Sequence, residues 1–218
     1  MNEERLASLI AVAIILLVSF PVHEFSHALA AYRLGDGTAK LFGRLTLNPI
    51  VHFDPIGGLM LIFSALVGGI GFGWAKPTPV NPMNLRGGRE SEAIVAFAGP
   101  ASNLVLATAA ALPLRFIIHS STLAVEVPDV AIRVLYLFML INLALAIFNL
   151  IPIPPLDGSK VLYSFLPPRV AWQWRPILDQ YGFFLLILLI IPIGPGGAIL
   201  SQIFEVFLDP LQSLLLGI

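Results

Sequence analysis

The chain has 218 residues, of which 57% are hydrophobic and 11% charged, with a mean hydropathy of +0.90 and a net charge of −1. Soluble domains carry about 25% charged residues. This composition therefore excludes an ordinary soluble domain, and the near-neutral charge gives no reason to invoke nucleic acid as a partner. Because the chain has no cysteine, disulfides and thiolate zinc sites are also excluded.

The charged residues are bunched, and this leaves five long uncharged runs. No Asp, Glu, Lys or Arg occurs at 6–23, 55–75, 93–114, 134–156 or 180–204. A helix crosses the hydrocarbon core in about 20 residues, so each run is a candidate span. The pattern predicts an all-α polytopic membrane protein, a bundle of about five (four to six) transmembrane helices forming a single membrane-embedded domain over residues 1–218.

The first run predicts a helix from about Leu6 to Leu34 that ends at Gly35-Asp36-Gly37. This N-terminus superficially resembles a signal peptide. The small-residue cleavage site that a signal peptide needs is replaced, however, by the sequence HEFSH at residues 23–27. We therefore interpret the segment as a retained helix.

The HEFSH sequence carries the chemistry of this helix. On a helix, H-E-x-x-H puts His23 and His27 one turn apart on one face with Glu24 beside them, the constellation that binds zinc and activates water. A polar helix end at the membrane interface would explain one histidine, but not two histidines and a glutamate at this spacing. Ionisable residues inside a membrane segment usually mark function. The motif therefore predicts a hydrolytic metal site within the bilayer.

The middle of the chain reads less clearly. Residues 38–54 are turn-rich and suit strand and loop at the interface, while glycines crowd both ends of the apolar segment 55–75. Prolines at 77 and 79 push the residues before them toward extended geometry. We therefore predict a small re-entrant or extended β element between the first helix and the next.

Three further helices are expected. One runs from about Glu92 to Ile118 and contains Gly99-Pro100, and one runs from about Val130 to Leu150, ending at a proline-rich break. After a loop over 159–179, another starts near Ile177 and ends near Ile193. Residues 198–218 form either a weak further span or an interfacial amphipathic helix, and we favour the second interpretation.

Two histidines make only part of a metal site, because catalytic zinc usually has three protein ligands and one open position. Candidates for the third ligand are His52, His119 and the acidic residues. His119 lies beyond the far end of its helix, which argues against it. Asp157 follows a long apolar helix inside the proline-rich break, and broken backbone at membrane depth is tolerated where it lines a protein cavity.

Together these motifs resemble the site-2 protease family of intramembrane zinc metalloproteases. The resemblance rests on HEFSH (23–27), AGPASN (98–103) and FNLIPIPPLDG (148–158), in this order, and covers about residues 6–165. Asn48-Pro49, HFDP (52–55) and GWAKP (73–77) resemble the small bacterial and archaeal branch without PDZ or CBS domains. We expect residues 6–165 to be the catalytic core and 166–218 to be C-terminal helices.

The resemblance implies one zinc ion per chain and a role for each site residue. The implied zinc ligands are His23, His27 and Asp157, the implied catalytic residues are Glu24 and Asn149, and the implied or predicted substrate contacts are Asn103, Gly73 and Trp74. Without the resemblance, Asn103 would be interpreted as a residue that hydrogen-bonds between packed helices, and Trp74 as an anchor at the membrane interface. We expect His52 and Asp54 to organise a loop.

A shared metal would also constrain the topology. His27 and Asp157 lie near the C-terminal ends of their helices, so those ends must be on the same side and the number of crossings between them must be even. Two helices supply two crossings, so residues 55–81 cannot cross once: they either stay on one side or enter and return. We predict that 56–70 enters as a helix or half-helix and that 72–80 returns as an extended strand. With 119–130 outside, the loops rich in Lys and Arg lie inside, which puts the active site nearer the cytoplasmic side of a bacterial or archaeal cell membrane.

The predicted function is hydrolysis of a peptide bond in or near a transmembrane segment of a membrane protein. The unpaired extended segment could hold substrate by strand addition. Three alternatives stay open at this point. The chain could be a metal transporter, or a non-proteolytic binding scaffold, or the same ligands could hold another metal, because affinities alone do not select zinc.

Overall fold

A computed structural model describes residues 3–67, 73–192 and 197–218. The described chain is predominantly helical, and none of the described residues forms a β-strand. The α-helices are α1 (Glu3–Ile14), α2 (Phe20–Arg33), α3 (Thr38–Leu41), α4 (Pro49–His52), α5 (Pro55–Val67), α6 (Gly88–Ile118), α7 (Leu123–Glu126), α8 (Asp129–Leu150), α9 (Asp157–Phe165), α10 (Pro168–Ile190) and α11 (Ile199–Leu216).

The first predicted helix is confirmed as one long element with an irregular turn in it. α1 and α2 are joined by a π-helical turn, Ile15–Ser19, in which the Phe20 N–H bonds to the Ile15 carbonyl. Pro21 follows directly and has no N–H to donate, which disfavours a regular ladder at this point. Such π turns occur often at functional sites, and this one precedes the HEFSH turn.

α6 is the central helix of the fold, and α2, α8 and α9 pack around it. Its face toward α8 carries the small side chains of Ala107, Ala110 and Ala111, which are at most 5% exposed. These small residues let the two helices approach closely. Met139 and Leu143 of α8 fill the space opposite. This tight pairing fixes the position of every polar side chain that the two helices carry.

Residues 73–76 lie back beside α5 and its first turn, as the predicted entry and return of this part of the chain requires. The described part of α5 has 13 residues and is about 20 Å long, shorter than the hydrocarbon core of a bilayer. Gly73 lies directly against the Gly57 carbonyl and Leu61, so the returning chain runs along α5. The Lys76 N–H then bonds to the His52 carbonyl at 2.8 Å, which brings the two ends of the excursion together. Residues 68–72 lie outside the described residues. They include the end of the predicted helix 56–70 and the start of the predicted strand 72–80.

The β structure expected in the middle of the chain is not formed by the described residues. Residues 73–80 have no regular secondary structure, because no strand lies beside them and Pro77 and Pro79 cannot donate to a ladder. Residues 38–54 contain the single-turn helices α3 and α4 in place of the expected strand. The prediction of a loop over 159–179 is also wrong, because α9 and the first half of α10 cover most of it.

In the C-terminal region, the helix that is long and apolar enough to cross a membrane is not the one that the sequence predicted. Within the described residues four helices qualify by length and composition: Arg5–Arg33, Gly88–Ile118, Asp129–Leu150 and Ile199–Leu216. α10 is not among them, and its residues Leu186 and Leu189 pack against Ile151 and Leu156, just beyond the end of α8. α11 packs along α6 and α8 and ends with Gly217 beside the Arg115 guanidinium. This packing favours a span for α11 over the interfacial helix that we preferred.

Asp36 ties the end of α2 to the chain that leads into α6. Its carboxylate is fully buried and accepts hydrogen bonds from Thr38 N and Oγ1, Asn81 N and Asn84 Nδ2, at 2.5–3.0 Å. We expect Asp36→Ala to lower the free energy of unfolding by about 2–4 kcal/mol, because four hydrogen bonds to a buried charged acceptor are lost. Thermal or denaturant unfolding in detergent micelles measures this.

The matched control is Asp54→Ala, which removes only the cap of α5 and should cost about 1 kcal/mol. Burial opposes ionisation of Asp36, but hydrogen bonds from Thr38 and Asn84 hold the pKa of its carboxyl below the ordinary value. The stabilisation is therefore present above a pH of about 4 and is lost as the pH falls toward the folded-state pKa. Equal losses in the two variants would contradict this role.

Candidate metal centre

Three side chains meet where α2 passes the start of α9. His23 and His27 lie one turn apart in α2, and their Nε2 atoms are 3.0 Å apart. Asp157, the first residue of α9, brings its Oδ2 to 3.4 Å from His23 Nε2 and 3.1 Å from His27 Nε2. The proline-rich turn after α8 aims this carboxylate inward, and Asp157 is buried.

The donor set and its spacing fit a small divalent metal ion. All three ligand atoms lie within 4.8 Å of one another. Bonds of about 2.0–2.1 Å to a tetrahedral zinc ion put neighbouring ligand atoms about 3.3 Å apart, close to the separations found here. Burial opposes ionisation of Asp157, but the two histidines hold the pKa of its carboxyl well below its usual range, so that it can supply a negative ligand.

Each histidine is held from behind through its other ring nitrogen. His27 Nδ1 lies 2.7 Å from the Val95 carbonyl, and His23 Nδ1 lies 2.5 Å from Asn103 Oδ1. Both acceptors belong to α6. Such bonds leave each Nε2 free as a metal ligand and fix the orientation of the ring.

Gly99 of α6 presses directly on the two ligand nitrogens. A Cβ at this position would lie 2.6 Å from His23 Nε2 and closer still to His27 Nε2. No side chain fits between the helix backbone and the histidines, so the close approach of α2 and α6 at the metal centre requires glycine.

The catalytic carboxylate predicted from the motif is anchored by the returning segment. Glu24 is buried, and its Oε2 accepts the backbone N–H of Thr78 at 2.7 Å. The Thr78 hydroxyl donates to the Glu24 backbone carbonyl at 3.0 Å. Residues 73–80 are therefore joined physically to the helix that carries the metal ligands.

The three ligands and Glu24 open into a cavity of about 870 Å³. Asn149, Gly73 and Trp74 line the same cavity, together with apolar side chains of α2, α8 and α10. Cavities of this volume take substrates through mostly apolar walls and a few fixed polar groups. Of the predicted site residues, all but Asn103 are thus brought to one space.

Charged groups form one rim of this cavity. Arg175 of α10 makes a two-pronged ion pair with Glu92 of α6, at 3.1 and 2.7 Å, and Lys160 lies 3.6 Å from Asp157 Oδ1. Next to the pair, burial and the neighbouring Asp179 raise the pKa of the Tyr163 hydroxyl to about 12. The rim therefore keeps fixed charges beside the metal ligands.

The fold and this site can be compared with known proteins. The chain matches the sequence model of peptidase family M50, described as "Peptidase family M50", over residues 11–189. The chain belongs to peptidase family M50. The match confirms the resemblance to the site-2 protease family, and zinc is the cofactor that the family and its named relatives imply.

Relatives in this family carry names that agree. "Putative zinc metalloprotease YwhC" of Bacillus subtilis is 39% identical over 184 residues, which cover 83% of this chain and 80% of the relative. "Putative zinc metalloprotease Rip2" of Mycolicibacterium smegmatis is 36% identical over 180 residues, covering 80% of this chain but 64% of the relative. No solved structure matches the chain.

Two residues that were expected to organise a loop, His52 and Asp54, do so in the structure. His52 is 1% exposed and bonds through Nε2 to the Thr46 carbonyl, and Asp54 caps α5, so both organise the loop as expected. Asn103 is fully buried behind His23 and does not line the cavity, so its predicted contact with substrate finds no support in its position.

Thr78, Gly99 and Asn142 are parts of the site that the sequence motifs did not predict. Asn142 bonds to Asn103, and a polar residue at the centre of the apolar helix α8 was a signal that could have found it. Gly99 was visible as part of a motif but without a role. Thr78 gave no signal, because its contact with Glu24 depends on the path of the returning chain.

Proposed function

We propose that the chain is an intramembrane zinc metalloprotease that hydrolyses a peptide bond in or near a transmembrane segment of a membrane-protein substrate. The observation that carries the proposal is the cluster of His23, His27 and Asp157 beside Glu24, in an apolar-walled cavity of a bundle with four candidate spans. Membership of a peptidase family supports it. The three clustered residues would hold the metal.

Zinc, when bound, supplies a Lewis acid that activates water and polarises a carbonyl. Glu24 is the general base and then the general acid. It takes the proton of the water that adds to the scissile carbonyl, and gives it to the amine as the peptide C–N bond breaks. Because the Thr78 N–H occupies Oε2, Oε1 is the oxygen that carries the proton.

Asn149 is the second catalytic residue in this proposal. It lines the cavity, and its Nδ2 donates to the Leu145 carbonyl at 2.9 Å, which fixes the amide. An amide nitrogen has a second N–H, which remains to stabilise negative charge on the carbonyl oxygen.

The returning segment 73–80 is the proposed binding edge for the substrate, with Gly73 and Trp74 at its start. Lys76 and Thr78 direct their N–H groups toward the protein, so the alternate residues of an extended chain, at positions 75, 77 and 79, face the other way. Of these, Pro77 and Pro79 offer only carbonyl oxygens. A substrate strand added here is held through its own N–H groups, while its carbonyl opposite each proline stays unbonded and open to attack.

The partners in this proposal are the lipid bilayer and a membrane-protein substrate, and no nucleic acid. The positive-inside rule, applied to the loops rich in Lys and Arg, supports a site nearer the cytoplasm of a multi-pass membrane protein. A metal transporter would need ionisable groups along a path through the bundle. The charged groups Glu24, Glu92, Asp157, Lys160 and Arg175 instead all line this single cavity.

The test compares membrane-protein fragments in cells that carry the wild-type chain or a Glu24→Gln variant. A fragment present with the wild type and lost with the variant would identify a substrate and its cleavage site. Zinc flux into liposomes containing the purified chain, with no such fragment in cells, would instead favour transport. Identical fragments in both cells would contradict the proposal.

A further inference from the structure

Two buried asparagines connect His23 to the backbone of α8. Asn103 of α6 and Asn142 of α8 are both 0% exposed, and neither lines the cavity. Asn103 Nδ2 donates to Asn142 Oδ1 at 2.9 Å, and Asn142 Nδ2 donates to the Phe138 carbonyl at 2.8 Å. With the 2.5 Å contact between Asn103 Oδ1 and His23 Nδ1, these bonds form one continuous chain.

The direction of this chain is fixed at its far end. The orientation of an asparagine amide is normally assigned from its network, but a backbone carbonyl can only accept. The Phe138 carbonyl therefore takes Nδ2 of Asn142, which turns Asn142 Oδ1 toward Asn103. A flipped Asn103 would set two amide oxygens against each other.

The same logic continues to the metal centre. Because Asn103 directs its oxygen at His23, His23 Nδ1 must carry the proton, and Nε2 keeps the lone pair that points toward His27 and Asp157. His27 needs no such arrangement, since its Nδ1 meets the Val95 carbonyl, which can only accept. His23 alone depends on a side chain that could turn by 180°.

We propose that Asn142 is a positioning residue for the metal centre: it fixes the Asn103 amide, and this amide fixes which nitrogen of His23 is free to bind metal. The inference rests on the metal centre of the proposed function. It also gives a reason for a fully buried amide in the membrane segment α8, where a polar side chain is costly.

The test measures zinc affinity of the purified full chain in detergent, by competition with a chromophoric chelator. Asn142→Leu should weaken zinc binding by about 10–100-fold, the usual loss when a group behind a ligand is removed. Leu143→Ala, a buried neighbour on α8 with no bond toward His23, should lower the unfolding temperature and leave zinc affinity unchanged.

A second background separates orientation from packing. With Asn103→Asp, position 103 presents an acceptor to His23 in either orientation, so Asn142→Leu should no longer weaken zinc binding. If Asn142→Leu weakens zinc binding equally in the wild-type and Asn103→Asp backgrounds, the effect is due to packing and the inference is overturned. So would wild-type zinc affinity in Asn142→Leu. A wild-type chain that binds no zinc would instead overturn the metal centre itself.

A second readout needs no variant at these positions. Histidine ¹⁵N NMR of the zinc-free wild-type chain distinguishes the two neutral ring forms, and His23→Asn identifies the His23 signals. The inference expects the proton of neutral His23 on Nδ1. A proton on Nε2 would overturn it, whether or not the Asn142 variants fold.

Discussion

Gly99→Ala is expected to abolish zinc binding. In a helix interior this change normally stabilises by about 0.5–1 kcal/mol, so propensity alone predicts a gain. Here the new Cβ would overlap the Nε2 atoms of both His23 and His27. The backbone of α6 cannot retreat, because its other face is packed against α8, and the histidine rings are held by their Nδ1 bonds.

The measurement is metal content per chain after purification, by mass spectrometry of the metal, together with an unfolding curve. Gly37→Ala is the matched control, because a Cβ at Gly37 meets nothing within 4 Å, and its zinc content should equal that of the wild type. A Gly99→Ala chain that keeps one zinc at wild-type affinity would show that His23 and His27 do not converge on a metal.

Glu24→Gln is expected to keep zinc and lower the rate of peptide cleavage by about 10²–10⁴, the usual contribution of a general acid–base group. Glutamine has the same shape and can still accept the Thr78 N–H, so the clamp between α2 and the returning segment survives. It cannot take a proton from water. The variant should therefore differ from the wild type in turnover and not in metal content or unfolding temperature.

Cleavage of the substrate identified in cells, reconstituted in liposomes with purified chain, gives the rate. Glu90→Gln, at an exposed glutamate near the start of α6, is the control and should cleave at the wild-type rate. Wild-type turnover in Glu24→Gln would remove the proposed role of this carboxylate. Loss of zinc in the same variant would mean that Glu24 supports the metal and not only the proton transfer.

The long helices and two of the three metal ligands could be predicted from local patterns, because each depends on residues near one another in sequence. Uncharged runs of membrane length predicted the first helix, α6 and α8, and the H-E-x-x-H spacing put two imidazoles on one face. The return of residues 55–76 followed from counting crossings between two proposed ligands. The expected strands were wrong, because extended residues form a strand only when a partner lies beside them.

The C-terminal helices show the limit of hydropathy. The helix predicted from about Ile177 to Ile193 lies mostly in an uncharged run that is a candidate span, and 198–218 was expected to be interfacial. In the structure α10 stays beside the end of α8 and α11 packs along the bundle. Which apolar helix fills the space beside α6 and α8 is decided by complementary packing, which a sliding count of apolar residues does not contain.

The sequence by itself determined the class of protein, its family resemblance, and the identity of the groups that can hold a metal and move a proton, because these depend on residue chemistry and short spacings. Only the tertiary structure decided what stands behind those groups. The contacts of the bare Gly99 backbone with the histidines, of the Thr78 N–H with Glu24, and along the amide chain from Asn142 to His23 join residues 39 to 80 positions apart. Such contacts arise from the packing of whole helices, so no local sequence pattern predicts them.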